Sequence, residues 1–264
     1  MTENFFPQFY FDPATRLYGA VHAAQKSFDI HLDAPELRYK TARWLDLTTE
    51  FSAQGSSMNI NVYADTLYYS KNGYIPELDL KAEVDNNRID YRLRLSDLDS
   101  MDNRLRWIGH FDFMAVDSFT FVVDSSFLTI DGMVWSMPAR NLISYLPHGI
   151  HFSDFGIARS DESLMLNGWI SNDSLKMIDL ELQNFQLSHL NDALRANAIE
   201  LSGQASGLAQ FKDVFDDIRL ETDLQVAQLC VNGDTLGLAK VKTDYEDQSD
   251  ELWLDVAIDR GTAR

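Results

Sequence analysis

Chemistry in this chain would have to come from a short list of residues. His148 and His151 frame the stretch HGIH, a spacing that brings two imidazoles near each other. Zinc needs a closed set of three or four donors. No cysteine or carboxylate motif accompanies this pair, and HExxH does not occur. Structural or exposed histidines and no metal are therefore expected. The acidic run DLDSMDN, residues 97–103, has the charge to attract calcium, but it lacks the glycine at the sixth loop position and the glutamate at the twelfth of an EF-hand. It reads as a solvated loop. SGQASG, residues 202–207, carries two glycines yet opens no helix that would cradle a phosphate. GxSxG, P-loop, dinucleotide and Cys–His patterns are absent. Cys230 is the single cysteine and has no positive neighbour, so it reads as a small packing residue that forms no internal disulfide. That suits the cytosol, and equally a bacterial periplasmic protein that does without disulfides. The expectation is no catalytic residue, no metal and no cofactor.

Carboxylates are a different matter, because a glycosidase pair has no required sequence spacing. The 264 residues include 41 acidic against 22 basic side chains, a formal charge of -19. Such a field repels phosphates and argues against a nucleic-acid partner. Its ordinary meaning is a soluble, self-repelling surface. With 45% hydrophobic residues the chain folds rather than staying disordered. No run of 18 apolar residues exists, and the N-terminus MTENFFPQFYFDP lacks the basic and apolar regions of an export signal.

The elements that would position any site are strands. FDIHL puts Phe28, Ile30 and Leu32 on one side; IDYRLRL puts Ile89, Tyr91, Leu93 and Leu95 on one side and Asp90, Arg92 and Arg94 on the other. SFTFVV, LMLNGWI, IRLETDLQV and LWLDVAI follow the same rule. One helix is expected, over residues 12–27, with Asp12 as cap, Pro13 in the first turn, and Leu17, Val21 and Ala24 on one face. Asn72-Gly73, Asp131-Gly132 and Asn232-Gly233 read as hairpin turns. The last would pair Val231 with Asp234 and set Leu229 opposite Leu236.

The stretch LELQNFQLSHLNDAL, residues 180–194, changes period partway. It starts in alternation and then places Leu187, Leu190 and Leu194 at helical spacing. A short helical corner near 187–195 follows. Two pairs of phrases repeat: LMLNGWIS (164–171) with IELSGQAS (199–206), and FQLSHL (185–190) with LQVAQL (224–229). Imperfect copies at this separation suggest stacked strand units of a solenoid-like kind, with the corner leading from one unit into the next.

These phrases, together with VNGDTLGLAKVKTDYEDQSDELWLDVAI, IHLDAPELRY and the DGMVW run before GIHFSDFGIARSDESLMLNGWIS, resemble the TamB/AsmA-like family of bacterial envelope proteins, in its Bacteroidetes branch. The similarity runs from about residue 28 onward. It implies an all-β fold, an elongated curled sheet known as a β-taco or half-pipe, with a continuous apolar groove. It also implies a periplasmic protein anchored in the inner membrane that carries phospholipid to the outer membrane without catalysis, and, in TamB itself, an Omp85-type outer-membrane barrel as partner. The chain lacks the family's anchor and C-terminal region and looks like an internal segment. Residues 1–27 would then be a helical lead-in and 28–264 the repetitive sheet.

A sheet with one apolar face needs a second layer, a helix or a ligand over it. The scarcity of helix leaves two options: a sheet curled onto a dry core, or a groove for phospholipid acyl chains. The candidate lining is Leu164, Leu166, Leu180, Leu182, Leu201, Leu220, Leu252, Leu254 and Val256, each on the apolar side of an alternating run. The alternative is an all-β carbohydrate-binding or carbohydrate-active module, which would need carboxylates and aromatics converging on one face. A lipid face must be almost free of charge.

Overall fold

The computed structural model describes residues 9–70, 73–96, 104–130, 132–137, 141–171, 177–191, 199–214, 219–246 and 251–260. They form nineteen strands and two short 3-10 turns, Ala23–Gln25 and Leu187–Leu190. The chain divides into two compact units, Met1–Ala139 and Arg140–Arg264.

The first unit holds β1 (Phe9–Phe11), β2 (Arg16–His22), β3 (Ser27–Tyr39), β4 (Ala42–Gln54), β5 (Ser57–Tyr68), β6 (Tyr74–Asp85), β7 (Arg88–Ser96), β8 (Arg104–Ala115), β9 (Ser118–Val123), β10 (Ser126–Ile130) and β11 (Met133–Met137). From β2 to β9 each strand pairs antiparallel with the next. β1 pairs with the far end of β3, and β10 pairs with the start of β8 and with β11. The second unit holds β12 (Asn141–Leu146), β13 (Gly149–Arg159), β14 (Glu162–Ile170), β15 (Met177–Gln186), β16 (Leu201–Lys212), β17 (Arg219–Val231), β18 (Asp234–Glu246) and β19 (Glu251–Asp259). It is likewise an antiparallel meander of successive neighbours. The all-β class expected from the alternation is the class observed. Among the described residues no helix is long and apolar enough to cross a membrane.

The expected helix over 12–27 is not formed. Residues 16–22 are β2, in register with β3 through Leu17 opposite Leu32 and Val21 opposite Phe28. The Asp-Pro signal makes a turn instead of a cap: an Asp12 carboxylate oxygen accepts the Ala14 N–H at 2.8 Å, and the Asp12 carbonyl accepts the Thr15 N–H at 2.9 Å. Leu17, Gly19 and Val21 alternate with Tyr18, Ala20 and His22, and pairing to β3 wins over a helical period that included a glycine.

The helical corner is present as Leu187–Leu190, with Asn191 in helical conformation; Leu194 lies outside the described residues. Leu187 packs on the cluster of Ala205, Val226 and Ala239. Asn191 holds the return, its amide side chain bonding both the N–H (2.8 Å) and the C=O (3.0 Å) of Leu201. The corner joins β15 to its sheet neighbour β16, between the strands β14 and β16 that carry the copies LMLNGWIS and IELSGQAS. Of the repeated phrases, LMLNGWIS and IELSGQAS both place a positive-φ glycine in or beside a strand, Gly168 and Gly203. FQLSHL turns the corner, whereas LQVAQL stays within β17.

Bulges interrupt the ladders. The register slips between Phe152 and Phe155 on β13, between Leu182 and Phe185 on β15, and between Val226 and Leu229 on β17. Each slip contains a non-glycine residue with positive φ: Asp154 (49°), Asn184 (46°) and Gln228 (54°). Polar neighbours satisfy two of these backbones: the Asp154 N–H bonds Asn167 Oδ1 and the Asn184 N–H bonds Ser206 Oγ, both at 2.8 Å. A bulge bends its strand and increases local twist.

The Asn232-Gly233 hairpin forms with φ of 51° and 86°, pairing Val231 with Asp234. Leu229, however, faces Gly237 and not Leu236, because a second irregularity, between Leu229 and Cys230, leaves Leu236 as an extra residue on β18. Gly132 has φ of 73° between β10 and β11, its partner Asp131 lying outside the described residues. Gly73 does not have positive φ, and Asn72 also lies outside the described residues.

Candidate functional site: the charge-free faces

Residues directly opposite in an antiparallel pair share a face of the sheet. The register therefore shows which side chains line up across many strands. In the second unit one row runs Ile157, Leu164, Leu182, Gly207, Leu224, Val241, Val256. The adjacent row runs Phe155, Leu166, Leu180, Ala209, Thr222, Thr243, Leu254 through the same strands. A third joins Ile178, Phe211 and Leu220, and Leu252 stands opposite Tyr245 on the same side. No row contains a charge. Eight of the nine candidate lining residues fall in these rows. Leu201 lies beyond the Gly203–Gln228 irregularity, paired with Val231.

The opposite face reads Met165, Glu181, Leu208, Asp223, Lys242, Asp255, and beside it Asn167, Asp179, Gln210, Glu221. Ion pairs bridge it: Lys242 to Asp223 at 3.0 Å and Lys212 to Glu221 at 2.7 Å. Exposed pairs of this kind contribute little stability, but opposite charges directly across strands reinforce the register.

The first unit repeats the arrangement with residues that the sequence reading did not nominate. One row is Val21, Phe28, Ala53, Met58, Val84, Ile89, Phe111, Phe121; the next is Gly19, Ile30, Phe51, Ile60, Ala82, Tyr91, Gly109, Val123. Leu17, Leu32, Thr49, Val62, Leu80, Leu93 and Trp107 form a third. The signal that finds them is the same alternation, followed strand by strand. Gly109 is required by close approach: a Cβ there would lie 1.9 Å from the Val122 carbonyl oxygen. Opposite it, the Tyr91 ring stacks on Phe121 at 5.6 Å, and its hydroxyl finds no hydrogen-bond partner among the described residues. Burial, with the charge of Asp124 adding to it, pushes the Tyr91 phenol well above its ordinary value.

What distinguishes these faces is which residues are buried. In the first unit the central cluster is Ala34, Leu47 and Ala64; in the second it is Ala205, Val226 and Ala239. The larger side chains around them are only partly buried, Leu32 and Val62 in one unit and Leu182 and Leu229 in the other. At β19 the face is open: Leu252 is 54%, Leu254 63% and Val256 47% exposed. The leucines of the rows remain at least partly accessible, whereas Leu47, Val123, Ile178 and Val226 are buried.

Catalytic geometry does not emerge from the titratable residues. His148 is an exposed turn residue, while His151 lies in β13 with its ring 4.6 Å from that of Trp169. Among the described residues no group of three His, Cys, Asp or Glu side chains is placed to hold a metal ion. The acidic run 97–103 lies outside the described residues. A recess of about 310 Å³ on the polar face of the first unit is lined by Glu50, Asn61, Tyr63 and Asp79, the residue types a sugar site uses, but Asp79 is paired with Arg94 at 3.0 Å. No protein-family model, curated protein or solved structure matches this chain.

Proposed function

We propose that the charge-free faces are tracks for the acyl chains of phospholipid, and that the protein is a non-enzymatic lipid-transport scaffold of the TamB/AsmA-like kind acting in the periplasm. The observation that carries the reading is the run of apolar rows across successive strands, free of charge and with leucines that are only partly buried or exposed. A sheet of this size that served only as a core would bury its leucines. Here they stay accessible to something apolar. A chain gains about 0.8 kcal/mol per buried methylene, and equivalent rows repeated from strand to strand offer no single stopping point. Carboxylates, which a carbohydrate-active module would use, fall on the opposite face, several of them committed to cross-strand ion pairs.

Native mass spectrometry of the purified protein should show retained phospholipid. A photoreactive residue at 182 or 254 should form lipid adducts in cells, and one at Glu181, on the opposite face, should not. Adducts equal on both faces, or none at any apolar position in a folded protein, would refute the lipid reading.

A further inference from the structure

The first unit contains an open-sided cavity of about 430 Å³ at the ends of β6, β7, β8 and β10. Ligand sites commonly span roughly 300–1,000 Å³. Its walls include Ile75, Pro76, Leu95, Leu105 and Leu128, and Arg104 stands among them. Leu95, Leu105 and Leu128 are cross-strand partners in sequence, so the cavity continues a charge-free row. Arg38, Arg43, Arg88, Arg94 and Arg159 each meet a carboxylate, but Arg104 meets none among the described residues, and its buried Nε has no hydrogen-bond partner there. The Tyr74 and Thr129 hydroxyls line the same cavity, while Ser96 donates to Glu77. By contrast, a recess in the second unit is lined by Glu221, Asp223 and Asp244.

We propose that this cavity is a head-group seat for an anionic amphiphile: a phosphate or carboxylate head on the Arg104 guanidinium, with the alkyl chain running from Leu105 and Leu128 onto the apolar face. The chemistry is that of a delocalised cation with an unfilled donor at the end of a hydrocarbon wall, which pairs with a tetrahedral or planar oxyanion. The inference rests on the lipid reading and adds a fixed polar stop to an otherwise featureless track.

The test is calorimetric titration of the full chain with decyl phosphate, decanol and inorganic phosphate at physiological salt. Decyl phosphate should bind tightest. Arg104→Gln should weaken it at least tenfold and leave decanol unchanged, and Arg104→Lys should restore part of the loss. Leu128→Gln should weaken both chain ligands alike. If Arg104→Gln alters neither affinity, the head-group seat is wrong and the lipid track survives. If inorganic phosphate binds as tightly as decyl phosphate, the cavity is a plain anion site and the amphiphile is wrong. If neither decyl compound binds, the track fails as well. Should Arg104→Gln lower the melting temperature, chemical-shift changes in the native protein decide: decyl phosphate must perturb Ile75, Leu95, Leu105 and Leu128, and perturbations confined elsewhere overturn the proposal.

Discussion

Leu182→Asp and Leu254→Asp place the same carboxylate on the same face of the second unit, in two different settings. Leu182 lies between Leu164 and Gly207 and packs on the cluster of Ala205, Val226 and Ala239. Full burial of a leucine is worth about 1.5–3 kcal/mol, so a half-buried one gives up about 1–1.5 kcal/mol. A carboxylate beside hydrocarbon adds about 2 kcal/mol, limited by the water that reaches the open face. The expected cost is about 3 kcal/mol. Leu254 is 63% exposed, beside Thr243. It has about a third of its burial to lose and its carboxylate stays hydrated, so the cost should be about 1 kcal/mol or less. Urea unfolding of both variants, with unchanged m-values, measures the difference. Retained lipid is then counted by native mass spectrometry. Leu254→Asp should lose lipid although it barely loses stability, which a closed dry core would not produce. Equal destabilisation at the two positions would refute the open-face reasoning, as would full lipid retention by a folded Leu254→Asp.

Gly233→Val should destabilise by about 1–2 kcal/mol in thermal or urea unfolding, because its φ of 86° excludes a β-branched residue although no heavy atom crowds the site. Tyr91→Phe should leave stability unchanged or raise it by up to about 1 kcal/mol, since the buried hydroxyl lacks a described partner. The folded-state pKa of Tyr91 is raised, so its contribution is complete below the unfolded phenol value near 10 and is lost as pH climbs beyond it. Melting curves between pH 9 and about 11 should therefore show a shallower alkaline decline in the variant, the remainder belonging in part to Tyr18, raised chiefly by the charge of Asp33, and Tyr63, raised chiefly by burial. His148→Ala should be silent, whereas His151→Ala should cost about 0.5–1.5 kcal/mol of ring packing on Trp169. Chelator should leave both melting temperatures where they are, and a stoichiometric metal in elemental analysis would contradict this.

The strand faces were legible because side-chain direction in a strand is local: Phe28, Ile30 and Leu32 share a side whatever the partner strand does. The N-terminal helix was misread because Asp12-Pro13 opens a turn as readily as a helix. Only the partner strand, with Leu32 waiting opposite Leu17, decides between them. Bulges escaped for a different reason. Asp154, Asn184 and Gln228 adopt positive φ without glycine, so composition gives no warning, and a further irregularity between Leu229 and Cys230 set Leu229 opposite Gly237 in place of Leu236. The Arg104 cavity draws its walls from four strands far apart in sequence, and no short pattern announces it.

The leucines of the apolar rows are only partly buried, and this argues most strongly against a plain core. Close-packed interiors put large side chains at the centre and interdigitate them. Here the covered positions on the apolar faces mix small and large side chains, Ala34, Leu47, Ala64, Tyr91 and Val123 in one unit, and Ile178, Ala205, Ala209, Val226 and Ala239 in the other, while the leucines of the rows stay at least partly accessible. The opposite faces carry carboxylates and the cross-strand ion pairs, and no charge stands in the apolar rows. Alternate residues of these strands thus face solvent, and under the lipid proposal the residues between them are the ones a hydrocarbon ligand would cover.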